Sequence, residues 1–252
     1  MPAPLTLPRL SWGDPASARH ALLAHGLGSS AALMWRLGDA LASAGWHATA
    51  IDLRGHGDAP RALDYTLAAY GADLAATLPD AGGTWDAVIG HSLGGASSIL
   101  AAASVHEWTK KLVLIDPAIV LEGRDAKAIR RSQQRAFDDN RLEVIREEHP
   151  HWHPQDIELK ADAVHRASRW AVEQTSAQNQ SWDVRAEAAR LTVPTHVIGA
   201  DPAIFSLFTG ETAAEIVEGN PRITMSVVEG AGHSVHRDRP DESIRHLLEA
   251  LS

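Results

Sequence analysis

The sequence predicts an α/β protein: one mostly parallel sheet flanked by helices, with a helical segment inserted between two of its strands. Three observations carry this reading. Short apolar runs alternate with longer amphipathic stretches along most of the chain. The apolar runs are near-continuous, which suits strands covered on both faces rather than one. One long stretch, residues 118–190, breaks the rhythm and holds no good strand.

The elements follow in order. Strands are predicted over residues 21–24, 47–52, 87–90, 112–115, 196–198 and 224–228, each apolar or β-branched, most of them ending in Gly, Asp or Pro. Helices are predicted over 32–44, 67–78, 94–105, 212–218 and 241–251. Alternation of the two types implies right-handed crossovers. Residues 118–190 are rich in Arg, Glu, Gln and His at helical spacings. The stretch is too long for an ordinary loop. It leaves the chain after a strand's carboxyl end, where open α/β sheets bind their ligands. The expected organisation is therefore a core of residues 1–117 and 191–252 with a helical cap of residues 118–190.

Composition narrows the function. The chain has 252 residues and a formal net charge of −9, so it has no general electrostatic grip on phosphate backbones, and nucleic acid is not an expected partner. With no cysteine there is no thiolate metal site and no cysteine nucleophile. No apolar run approaches the ~20 residues of a membrane span. The first twelve residues lack the apolar stretch of a secretory signal. A cytoplasmic protein, monomer or homodimer, acting on a small molecule is the expectation.

The strongest motif is Gly90-His91-Ser92-Leu93-Gly94, which follows one predicted strand and opens a helix. A serine lifted on a sharp strand-to-helix turn needs glycines beside it, because flanking elements must approach closely. Ser92 is the candidate nucleophile. The backbone N–H of Leu93, at a helix start, points at developing negative charge. A serine needs a base, and His233 in Gly230-Ala231-Gly232-His233 follows the last strand. The imidazole needs a carboxylate on its other nitrogen. Asp201, after the strand at 196–198, keeps the chain order Ser, Asp, His and is preferred; Asp116, after the strand at 112–115, is the rival. His25-Gly26-Leu27-Gly28 follows the first strand, and the Leu27 amide is the second candidate oxyanion donor. Trp152 and Trp170 are candidates to line an apolar substrate pocket. His149-Pro150-His151-Trp152-His153 invites a metal reading, but lacks a matching carboxylate motif, and neither metal nor cofactor is expected.

With these residues in place, the chain resembles the α/β-hydrolase superfamily over nearly its whole length. The resemblance rests on His25-Gly26, Asp52-Leu53-Arg54-Gly55-His56-Gly57, the turn at 90–94, Leu114-Ile115-Asp116, Pro194-Thr195 and Gly232-His233. It is closest in style to cap-bearing serine esterases and lactonases. It implies hydrolysis of a carboxylic ester or lactone of a small, largely apolar substrate through an acyl-enzyme. Thioester, amide or carbon–carbon hydrolysis on the same residues stays open, as does a binding protein with a vestigial triad. One departure bears on the acid: members often carry Gly-x-x-Asp there, whereas Gly199-x-Asp201 is one residue shorter.

Overall fold

All six strands expected from the apolar runs form, in a computed structural model that describes residues 2–252. In chain order the first part of the molecule comprises β1 (Arg9–Trp12), β2 (His20–Ala24), a 3-10 turn (Ala31–Met34) leading into α1 (Trp35–Ser43), β3 (His47–Ile51), α2 (Leu67–Ala76), β4 (Ala87–His91), α3 (Leu93–Ser104) and β5 (Leu112–Ile115). The segment that breaks the rhythm holds β6 (Val120–Leu121), α4 (Gly123–Asp138), α5 (Leu142–Glu148), α6 (Pro154–Arg166), α7 (Arg169–Gln178), β7 (Trp182–Asp183) and α8 (Arg185–Ala189). The chain then returns through β8 (Thr195–Gly199), α9 (Gly210–Gly219), β9 (Ile223–Val227), α10 (Val235–Asp238) and α11 (Pro240–Leu251).

The main sheet has the order β1-β3-β2-β4-β5-β8-β9. Only β1 is antiparallel. Side chains alternate between two buried layers, as period-2 geometry requires. Leu22, Val88, Leu114 and Val197 enter one layer. Leu23, Ile89, Val113 and Ile198 enter the other. Burial on both faces explains why the strands read as unbroken apolar runs. β1 escaped the sequence reading because it is an exposed edge strand with no apolar run. The pair β6–β7 also escaped it: two residues per strand, joined antiparallel at the neck of the insertion, carry no periodic signal.

Buried polar contacts are among those that tie the insertion to the core. On α6, the Asp156 carboxylate accepts hydrogen bonds from Trp35 Nε1 (2.8 Å) and Arg36 Nε (3.2 Å). On α7, Thr175 Oγ1 meets Tyr70 OH at 2.7 Å. Between these anchors α4 has no buried residue. Among the described residues, no helix is long and apolar enough to cross a membrane.

One ion pair stabilises the loop after β3. Arg54 and Asp73 are both buried, and the guanidinium forks onto the carboxylate with Nε–Oδ2 and Nη2–Oδ1 distances of 2.7 Å each. The fork geometry satisfies both oxygens, the condition under which a buried pair repays its desolvation. Asp73→Ala should therefore cost about 3–5 kcal/mol, read as a shift in the urea denaturation midpoint; a change under about 1 kcal/mol would show the pair to be dispensable.

Candidate active site

β4 sits at the middle of the sheet, and its carboxyl end delivers Ser92 into a turn of high strain. Ser92 has φ 52° and ψ −115°, a region that non-glycine residues enter only when the surroundings force them. The forcing agents are visible. A Cβ on Gly94 would lie 2.3 Å from the Ala24 carbonyl oxygen, and one on Gly90 would lie 2.7 Å from that of Gly94. α3 can therefore start immediately against β2 and β4. The Ser92 N–H donates to Ile115 O at 3.1 Å.

The serine hydroxyl donates to His233 Nε2 at 2.9 Å, and His233 Nδ1 donates to Asp116 Oδ2 at 2.6 Å. The expected serine and histidine thus converge, and the carboxylate joining them belongs to Asp116, not Asp201. The reason lies in sheet register. His91 pairs with Ile115 across β4 and β5, so residues 92 and 116 leave adjacent strands side by side. Asp201 lies one strand further away and is spent elsewhere: its carboxylate accepts from the amides of Ala203 (2.8 Å) and Gly230 (2.9 Å). Those amides hold its carboxyl below the ordinary carboxylate range. Its own N–H donates to Ala231 O at 2.8 Å. Asp201 therefore braces the loop that presents His233.

Asp116 is fully buried. Burial alone would push its carboxyl upward; hydrogen bonds from His233, the Leu207 amide and Ser206 reverse this and leave it below the ordinary value. Ser206 Oγ approaches at 2.7 Å, and the amides of Leu207 and Phe208 at 3.0 and 3.2 Å. Like Ser92, Asp116 has a positive φ, 35°. The stretch Ser206-Leu207-Phe208 has no signal in the sequence, because two of its three donors are backbone amides and the third is an ordinary serine hydroxyl.

The loop carrying Leu27 is held by the segment after β3. His25 Nδ1 donates to Gly26 O (2.7 Å), and its Nε2 accepts from the Leu53 amide (3.1 Å). His56 Nε2 accepts from the Gly28 amide (3.1 Å), and its Nδ1 donates to Arg54 O (2.9 Å). Asp52 accepts from the amides of Ala31 and Asp58. Burial pushes His25 down to about 4 and His56 down to about 3. Both rings stay neutral at ordinary pH, each with one donor and one acceptor as the bonds require. Gly57 must be glycine, since a Cβ there would stand 2.2 Å from Asp52 Oδ2. Leu27 lines the same cavity as Ser92. Leu93 begins α3 directly after Ser92. Among the described residues, neither of their amides donates to a protein acceptor.

His91, the residue before Ser92 in the turn, also has a task. Its Nε2 donates to the His233 carbonyl at 2.9 Å, and the two rings lie 4.8 Å apart. Burial drives its imidazole well below the usual histidine range. It pins the backbone of His233 without adding a charge beside it.

A cavity of about 490 Å³ opens over Ser92 and His233, with α4, α5 and α6 as its far wall. Trp152 lines it. Trp170 does not: α7 docks beside α2, and the Trp170 ring is exposed and packs edge-on against Tyr65 at 5.6 Å. The apolar lining also carries cations. Ile129, Ile204 and Phe205 share it with Arg135, Lys160 and Arg237. The three histidines of the 149–153 segment separate. His149 stacks on Trp152 at 3.8 Å, His151 reaches Asp238, and His153 accepts from the Gln155 amide at the start of α6.

Known proteins agree with this architecture. Lipase LipV of Mycobacterium tuberculosis is 40% identical over 78 residues, a stretch covering 31% of this chain and 30% of that protein. The 2-(acetamidomethylene)succinate hydrolase of Mesorhizobium japonicum is 26% identical over 246 residues, covering 90% of this chain and 85% of its own. Among solved structures, an N-formylmaleamic acid deformylase from Pseudomonas putida S16 superposes with a TM-score of 0.79 at 26% identity, covering 96% of each chain. The alpha/beta hydrolase family matches residues 21–245, nearly the whole of the sheet and everything inserted in it, and the chain belongs to that family.

Proposed function

We propose that the protein is a serine hydrolase that cleaves a carboxylic ester or lactone of a small molecule through an acyl-enzyme on Ser92. The observation that carries this is the continuous hydrogen-bond chain from Ser92 Oγ through His233 to the Asp116 carboxylate. In the forward step His233 Nε2 takes the serine proton as Oγ attacks the substrate carbonyl. Asp116 holds the imidazole in the tautomer with its proton on Nδ1 and stabilises the imidazolium. The amides of Leu27 and Leu93 receive the oxyanion; each such donor is typically worth about 10²–10³ in turnover. His233 then gives its proton to the leaving alcohol. Water, deprotonated by the same ring, releases the acid. In this reading residues 1–117 and 191–252 are the catalytic core and residues 118–190 are a cap that walls the substrate cavity.

A second reading, amide hydrolysis on the same groups, is favoured by two of the relatives matched over most of their length, whose names describe N-acyl compounds. Matched ester and amide substrates separate the two by their ratio of kcat/KM.

Ser92→Ala should abolish hydrolysis of p-nitrophenyl butyrate and labelling by a fluorophosphonate probe, while circular dichroism stays native; retained turnover refutes the serine mechanism. Asp116→Asn should lower kcat by about 10³–10⁴. Asp201→Asn, which removes a loop brace, should lower it by less than about tenfold. The reverse ranking would return the role of the acid to Asp201.

A further inference from the structure

The cavity around Ser92 is lined by two cations that, among the described residues, no carboxylate meets at ion-pair distance. Arg237, on α10 one turn beyond His233, is buried, with 6% of its surface exposed, and it lines the cavity. Its guanidinium lies 4.8 Å over the Trp152 ring. Nη2 donates to Ser234 Oγ at 2.9 Å and Nη1 lies 3.3 Å from His236 Nε2, while Nε is buried without a partner. Lys160, half-buried on α6, donates to the Gly28 carbonyl at 2.9 Å. That is one bond for an ammonium with three protons.

The neighbouring acids are engaged by other groups. Asp156 is taken by Arg36 and Trp35. Asp238 accepts from Trp152 Nε1 (2.6 Å), the Gly232 amide (2.8 Å) and His151 Nε2 (3.1 Å). Glu148, exposed at the rim, acts on Lys160 only from beyond ion-pair distance. His149 and His236 are held neutral by burial and by Arg237. Among the described residues, no carboxylate forms an ion pair with Lys160 or Arg237. Burial and the field of Arg237 push Lys160 down to about 8, which leaves it protonated at neutral pH. A buried cation without a counter-ion is costly, and a partner of opposite charge from outside removes that cost.

We propose that Lys160 and Arg237 form a subsite for a carboxylate on the acyl part of the substrate, so that the preferred substrate is a monoanion. This rests on the hydrolase reading and adds a charged end to the small, largely apolar substrate expected from the sequence. Lys160 stands against the loop that carries the Leu27 amide, and Arg237 stands behind His233. A carbonyl seated over Ser92 therefore places an acyl chain between the two cations. Charge-assisted hydrogen bonds to Arg and Lys are the strong kind.

The test compares monomethyl glutarate with methyl pentanoate, which differ by a carboxylate in place of a terminal methyl, by pH-stat at neutral pH. The native protein should favour the anionic ester by at least about tenfold in kcat/KM. Lys160→Met should reduce that ratio by about tenfold, through KM, and Lys160→Arg should restore most of it. A parallel titration of the Ser92→Ala protein with monomethyl glutarate reads binding without chemistry. Binding that weakens in the Ser92→Ala/Lys160→Met protein supports the subsite even if neither ester is turned over, in which case only the hydrolase reading falls. Equal turnover of the two esters, or a ratio unchanged by Lys160→Met, overturns the subsite and leaves the hydrolase standing.

Discussion

Close approach of α3 to β2 and β4 is the constraint on which the rest of the site depends. The strained Ser92 backbone is tolerable only because the elements around it leave no alternative, and they pack that tightly only because Gly90 and Gly94 present hydrogen atoms where any other residue would clash with main-chain oxygen. From that one turn follow the exposed hydroxyl at the middle of the sheet and the free amide of Leu93 at a helix start. The same turn sets Ser92 beside the end of β5, whose next residue is Asp116.

The remaining parts are held by groups that do no chemistry themselves. His91 and Asp201 grip the loop of His233 from two sides, one through its ring and one through its carboxylate. His25, His56 and Asp52 hold the loop of Leu27 by accepting backbone amides. The buried imidazoles stay neutral, so they orient the backbone without adding positive charge beside His233. Asp116 is then the main fixed charge against the imidazole, and three donors besides His233 keep it ionised in a buried position. The cavity lining around these groups has a different character. There Lys160 and Arg237 stand with less compensation than Arg54, which is buried and forked onto Asp73.

Much of this was legible in the residues. Buried strands announced themselves as apolar runs because both faces of the sheet are covered. Ser92 and His233 announced themselves through glycines, since sharp turns and close approaches admit little else. The exposed edge strand β1 and the two-residue strands at the neck of the insertion carry no such pattern. Trp170 misled for a related reason: its residue type suits a pocket, but the orientation of α7 decided that it faces solvent.

The amino-acid sequence by itself determined the order of strands and helices, the serine turn and the histidine loop, because these depend on local stereochemistry and on which residues avoid water. Only the tertiary structure decided the acid, the residues that brace the loops and the charge of the cavity wall. Asp116 and Asp201 both follow a strand and look alike in one dimension. Strand adjacency, set by pairing between segments far apart in the chain, put one beside His233 and gave the other's oxygens to backbone amides. Charge compensation is likewise a property of three-dimensional neighbours, and no spacing along the chain reveals that Arg237 meets no carboxylate at ion-pair distance among the described residues.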